Sequence, residues 1–218
     1  MDISEITALI IAGKTKEAVN AIRKNPSLAK ERTEDGISLL QFAVYCRNKE
    51  VVDAVLPFHD AINVYEACSL GMKDKVRREL EKNPALLNSH APDGFTALGL
   101  ACFFNHPDLV AWLLGKGADP NLPASNSFHV APIHSACSMG SLEIMDILIR
   151  HGADVNAKQQ QDYTPLHQAA HAGRADMCEL LLKNGADRNA RTTSGQIPMN
   201  LAAGPNMEQV VRILEFPG

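Results

Sequence analysis

Residues 162–190 read DYTPLHQAAHAGRADMCELLLKNGADRNA. Thr164 stands where a side-chain oxygen can cap a helix beginning at Pro165, whose missing N–H is one that the first turn leaves unpaired anyway. Leu166, Ala169 and Ala170 then share one helical face, and Gly173 can close the helix in the left-handed conformation. Met177, Leu180 and Leu181 fall at helical spacing in a second helix, which Lys183-Asn184-Gly185 stops. Asp187 and Asn189 bring turn chemistry for an extended hairpin. Two helices this short cannot bury their own apolar faces, so the stretch predicts neighbours of the same kind.

The neighbours are present. At an offset of 33 residues, APIHSAC (131–137) matches TPLHQAA (164–170), and GADVN (152–156) matches GADRN (185–189). Further copies begin at DGFTAL (93–98) with GADPN (117–121), and GQIPMNLAA (195–203) is a worn one. Toward the amino terminus, SLLQFA (38–43) follows Asp35-Gly36, and Ala67-Cys68 with Gly71 mark another first helix. Residues 13–46 also match residues 71–104 at a constant offset of 58, which reads as duplication of a two-pair block.

The shared pattern, DG-x-T-P-L-H-x-A-A…G-A-D-x-N, resembles the ankyrin repeat, most closely in the copies beginning near Asn126 and Gln160. The resemblance implies an all-α solenoid of about seven helix pairs with short β-hairpin fingers, occupying residues 1–218 as a single domain. First helices are expected near residues 3, 38, 62, 97, 132, 165 and 198, and the threonine-equivalent positions of successive repeats are spaced by 34, 24, 34, 35, 33 and 33. The step from Ser38 to Ile62 lacks about ten residues, and Pro57-Phe58-His59-Asp60-Ala61 stands in place of the usual hairpin. A missing finger with both flanking helix pairs intact is the expected result.

Composition narrows the function. With 45% hydrophobic and 21% charged residues the chain belongs with folded globular proteins. A net charge of −4 argues against nucleic acid as the main partner. Cys46, Cys68, Cys102, Cys137 and Cys178 make an odd number in a chain too long for a disulfide-dense scaffold, so reduced thiols and a cytoplasmic setting are expected. The opening MDISEITALIIAG carries Asp2 and Glu5 where a secretion leader carries positive charge, and its apolar run is too short to span a bilayer. It reads as folded protein, a monomer with no membrane partner.

Chemistry-bearing residues follow the repeat. His134 and His167 hold the TPLH position, where the resemblance implies a ring bracing loops through hydrogen bonds. Successive packed helices stand roughly 8–10 Å apart, too far for two such rings to share a zinc ion. Gln41, Tyr65, Gly99 and Asn200 occupy the same position elsewhere. Cys68, Cys102 and Cys137 all replace the second alanine of the AA pair, where a small hydrophobe suits close helix packing. Cys178 and His171 are near in sequence but belong to different helices. The run KDKVRRELEK (73–82) mixes charge signs at helical spacing and reads as a solvated outer face. No catalytic residue, metal site or cofactor is expected.

The resemblance also implies that three residues of each first helix face a concave groove. These are Phe42, Tyr45 and Cys46; Glu66, Ser69 and Leu70; Leu100, Phe103 and Phe104; Ser135, Ser138 and Met139; Gln168, His171 and Ala172. Four of the chain's eleven aromatic residues fall on two of these helices. The expected partner-binding set is therefore Phe42, Tyr45, Leu100, Phe103, Phe104, Met139 and His171, with Phe95, Phe128 and Tyr163 from the fingertips. The implied function is non-enzymatic binding of another protein, as an adaptor or as an inhibitor or immunity-type partner. Three alternatives stay open: some of these rings as core, an enzyme or small-molecule sensor with a site in the groove or near Cys178 and His171, and, more distantly, nucleic-acid binding.

Overall fold

A computed structural model describes residues 1–59, 61–204 and 207–215. Among them the chain forms fourteen α-helices in seven consecutive pairs, whose first helices begin at Ile3, Leu39, Val64, Ala97, Pro132, Pro165 and Pro198. No β-strand forms among the described residues. The expected hairpins shrink to isolated bridges, Arg32 with Ser38, His90 with Thr96 and Gln159 with Tyr163. A finger that closes on itself within four to six residues has room for one backbone pair, not for a ladder.

The sequence reads as one array over 1–218, but its contacts form two compact units. Unit 1 is Met1–Lys82 with Ala91–Asp93, and unit 2 is Asn83–His90 with the chain from Gly94 onward.

Unit 1 contains α1 (Ile3–Ile11), α2 (Thr15–Lys24), α3 (Leu39–Tyr45), α4 (Lys49–Val55), α5 (Val64–Ser69) and α6 (Lys73–Lys82). Asp2 and Glu5 form a capping box at the start of α1, each side chain accepting from the other's backbone N–H at 2.9–3.0 Å. Ile6, Ile22, Leu39, Leu40, Val51, Val55, Val64 and Val76 fill the core. On α6 only Val76 and Leu80 are buried, while Arg77–Asp74 and Lys82–Glu79 pair on its outer side. The short step is occupied by a 3₁₀ turn, Leu56–Phe58, with intact helices α4 and α5 on either side and no bridge among the described residues 56–63. Asp60, part of the expected replacement segment, lies outside the described residues.

Unit 2 contains α7 (Ala97–Phe103), α8 (Pro107–Gly115), α9 (Pro132–Ser138), α10 (Leu142–Arg150), α11 (Pro165–His171), α12 (Ala175–Lys183), α13 (Pro198–Leu201) and α14 (Glu208–Glu215). Proline opens α9, α11 and α13 at the position that needs no N–H donor. Between helices of a pair the chain must turn through positive φ; Gly140 and Gly173 do so without strain, whereas Asn105 does so at φ 58° with a side chain. The worn last copy shows in α13, a single turn of four residues.

An asparagine ladder joins the loops of unit 2. Asn88 donates to the Gly117 carbonyl and accepts from the Asp119 N–H; Asn121 does the same with Gly152 and Asp154, and Asn156 with Gly185 and Asp187, all at 2.7–3.1 Å. This is what the recurring GADxN motif does. Its glycine supplies a carbonyl, its aspartate an N–H, and its asparagine reads both from the next repeat.

Candidate partner-binding surface

The first helices of unit 2 place the expected residues at different depths. Leu100 is 1% exposed and belongs to the core, so it is corrected out of the binding set. Burying a leucine contributes about 1.5–3 kcal/mol, and repeat register gives a side chain's direction but not its depth. The equivalent Glu66 and Ser135 are buried as well. In those helices the first of the three groove positions turns into the packing; on α7 and α9 the later two are exposed or half-buried, whereas on α5 Ser69 is buried too.

Those later positions on α7 are Phe103 and Phe104, both half-buried, with ring centroids 5.1 Å apart and planes at 90°. Edge-to-face pairs of this kind add about 0.5–1.5 kcal/mol beyond area burial. Phe104 caps the end of α7, and the left-handed Asn105 follows it directly. On α9 the same positions hold exposed Ser138 and half-buried Met139; on α11 they hold His171 and Ala172, both exposed. The Gln168 amide donates to the Ser138 hydroxyl at 2.5 Å.

Successive fingers of unit 2 are tied to each other through the backbone. The N–H groups of Ser125, Gln160 and Thr193 donate to the carbonyls of Gly94, Phe128 and Gln161 at 2.9–3.0 Å. These bonds position Phe128, which is 54% exposed beside the left-handed His129. Phe95 and Tyr163 are half-buried. Tyr163 also serves the interior, since its carbonyl faces His134 Nε2 at 3.3 Å and its ring lies 5.3 Å from His167.

In unit 1, Phe42 and Tyr45 are half-buried on the first-helix face of α3. The Tyr45 hydroxyl donates to Asp93 at 2.6 Å. Burial, and then that carboxylate, hold the phenol well above the ordinary tyrosine range. Its hydroxyl is thus engaged within unit 1.

The two TPLH histidines are braces. His167 is fully buried, with Nδ1 2.8 Å from the Thr164 hydroxyl and Nε2 3.0 Å from the Gln196 carbonyl in the following finger. His134 reaches the Tyr163 carbonyl, but Ala131 stands where Thr164 would, and its Nδ1 is buried without a hydrogen-bond partner. Burial lowers the pKa of both imidazoles, to about 4 for His134.

A charged counterpart in unit 1 went unread in the sequence. His59 sets Nδ1 3.1 Å from the Ala29 carbonyl and Nε2 3.1 Å from the Glu66 carboxylate. Glu66 also accepts from the Ser38 hydroxyl and the Asn63 N–H, and Gln41 donates to Ser69 nearby. The visible signal was the Asn63-x-x-Glu66 capping box, but nothing local pointed to His59.

Nucleophilic chemistry finds no support at Cys178 and His171. The thiol is buried on α12, and burial pushes its pKa up to about 12, whereas His171 ends α11 in solvent. All five cysteines are free thiols. Among the described residues, no three or more His, Cys, Asp or Glu are grouped to hold a metal ion, and no helix is long and apolar enough to cross a membrane.

Helix pairs joined by left-handed turns, with histidine and asparagine braces between successive loops, define a helical-repeat protein. The chain belongs to the ankyrin-repeat family, whose profile, ankyrin repeats in three copies, matches residues 64–159 and 133–215. It is 28% identical over 160 residues to the probable 26S proteasome regulatory subunit p28 of Saccharomyces cerevisiae, covering 66% of this chain and 68% of that protein. It is 32% identical over 105 residues to transient receptor potential cation channel subfamily A member 1 of Homo sapiens, and 33% identical over 102 residues to ankyrin repeat protein nuc-2 of Neurospora crassa. Those matches cover 48% and 47% of this chain but only 9% of each relative. Ankyrin repeats are generally protein–protein interaction modules.

Proposed function

We propose that this chain is a non-enzymatic binding module that recognises another protein through the aromatic first-helix face and fingertips of unit 2, acting as a cytoplasmic monomer. The observation that carries the reading is the half-exposed Phe103–Phe104 pair, together with the outward-facing Phe128. Contiguous apolar surface on a soluble protein tends to mark interaction sites, and aromatic rings bury much area while freezing few torsions. Met139, His171, Phe95 and Tyr163 complete the surface in unit 2. Phe42 and Tyr45 form a separate patch in unit 1, the latter through its ring alone. A module of this kind works as an adaptor, or as an inhibitor that occludes its target. Stacked repeats suit either role because a rigid surface loses little conformational freedom on binding.

The test is capture of the partner from the native source, followed by calorimetry on Phe103→Ala and Phe104→Ala, each with an unchanged circular dichroism spectrum. Loss of about 2 kcal/mol or more in at least one variant is expected of a central aromatic anchor. Binding by both variants at wild-type strength contradicts the reading, and Arg77→Ala on the outer side of α6 serves as the neutral control.

A further inference from the structure

Unit 1 carries a candidate surface of its own. In α1, Ile11 holds the repeat position of Tyr45 in α3 and Phe103 in α7, and it is 74% exposed. Beside it lies an open cleft of about 380 Å³ with two unlike walls. One is apolar, made by Ile3, Ala8 and Ile11 of α1; the other is acidic, made by Glu34 and Asp35 at the turn of the first finger. Three hydroxyls border the cleft: Thr7 donates to the carbonyls of Ile3 and Ser4, Thr33 accepts from the Ile37 N–H, and Ser4 is exposed. The two carboxylates are left as the charged groups that face a ligand.

We propose that this cleft docks a basic–apolar segment of a partner protein. An aliphatic side chain packs on Ile3, Ala8 and Ile11, while a neighbouring lysine or arginine meets Glu34 and Asp35. The proposal rests on the reading of the chain as a protein-binding module but uses a different surface. Its chemistry excludes the other occupants in turn. Two carboxylates repel nucleic acid and anionic lipid. The cleft is open, whereas small-molecule sites bury most of their ligand. Apolar contact supplies affinity here, and the exposed charges select the sign of the partner.

The experiment is a titration of the full-length, ¹⁵N-labelled chain, followed by amide shifts. Two acetylated and amidated hexapeptides serve as probes, one alternating leucine with lysine and the other leucine with glutamate. Saturable shifts at residues 3–11 and 33–36 are expected with the lysine peptide, and binding about tenfold weaker with the glutamate peptide. The double variant Glu34→Gln/Asp35→Asn, and separately Ile11→Ser, should each weaken the lysine peptide about fivefold. All these side chains are at the surface, so the fold is retained, and circular dichroism checks that. Equal binding of both peptides, shifts only elsewhere, or wild-type affinity in either variant overturns the proposal. Concentration-dependent self-association abolished by Glu34→Gln/Asp35→Asn overturns it too, because the occupant is then a second copy. Phe103→Ala should leave this binding unchanged, so failure here and failure of the aromatic surface are read separately.

Discussion

His59 in unit 1 and His134 and His167 in unit 2 all tie one helix pair to another, but they do so in opposite protonation states. Both nitrogens of His59 face groups that can only accept, the Ala29 carbonyl and the Glu66 carboxylate, so the ring is an imidazolium. It is an almost fully buried one, with 6% of its side chain and 2% of that of Glu66 exposed. The Glu66 hydrogen bond raises the His59 pKa against the pull of burial. For Glu66, burial pushes upward, and the bonds from His59, Ser38 and Asn63 outweigh it and lower the pKa. In unit 2 the histidine ring meets a neutral carbonyl of the following finger, and burial keeps it uncharged. A regular repeat offers its neighbour a finger and an asparagine ladder. Where the finger is missing, a buried ion pair spans the gap, and such a pair is sensitive to loss of either partner.

The largest expected effect breaks that pair. Glu66→Ala leaves a buried imidazolium and the Ser38 hydroxyl without their acceptor, and should destabilise unit 1 by about 3–5 kcal/mol in urea unfolding. Glu66→Gln, which keeps hydrogen-bonding atoms, should cost less. Equal and small losses for both would mean that the pair carries little of the stability of unit 1.

The next effect belongs to unit 2. His167→Ala removes two buried hydrogen bonds and should cost about 2 kcal/mol; His134→Ala, with one bond to lose, should cost about 1 kcal/mol. Acid separates the two units further. The folded His134 pKa, about 4, lies below the ordinary histidine value, so its contribution is complete above about pH 6.5 and is lost as pH falls toward 4. His59 has the opposite sign: its contribution is complete below about pH 6.5 and is lost as pH rises through its raised folded pKa. Amide exchange followed residue by residue across this range checks both directions.

Smaller changes should sharpen the comparison by improving each unit. Ala131→Thr supplies the missing cap to α9 and a hydroxyl toward His134 Nδ1, as Thr164 does for His167; a gain of about 1 kcal/mol is expected. Arg47, at φ 52°, holds the turn position of Gly13, Gly71, Gly140 and Gly173. Arg47→Gly should stabilise unit 1 by about 0.5 kcal/mol, the relief of backbone strain less the added freedom of the unfolded chain. Thermal midpoints of the two variants measure both gains.

What the sequence made legible was local. Caps, left-handed glycines and the GADxN turns depend on residues a few positions apart, so α9 to α12 fall where the TPLH and GADxN matches put them. The missing finger was legible as a short step, because a deletion breaks the period. His59 was not, because its partners Ala29 and Glu66 lie 30 residues before it and seven after it, a relation that no period encodes. For the candidate surface, register picked out Phe103, Phe104, Met139 and His171, which are half-buried or exposed. It could not see that Leu100 is buried, or that Tyr45 spends its hydroxyl on Asp93.

The most direct test of the contrast between the units is an NMR titration of the imidazole carbons of His59, His134 and His167 in the intact chain. His59 is expected to titrate above the ordinary histidine midpoint, with His134 neutral down to about pH 4 and His167 also titrating below the ordinary value. A His59 midpoint at or below about 6.5, or His134 and His167 titrating like exposed histidines, would contradict the account.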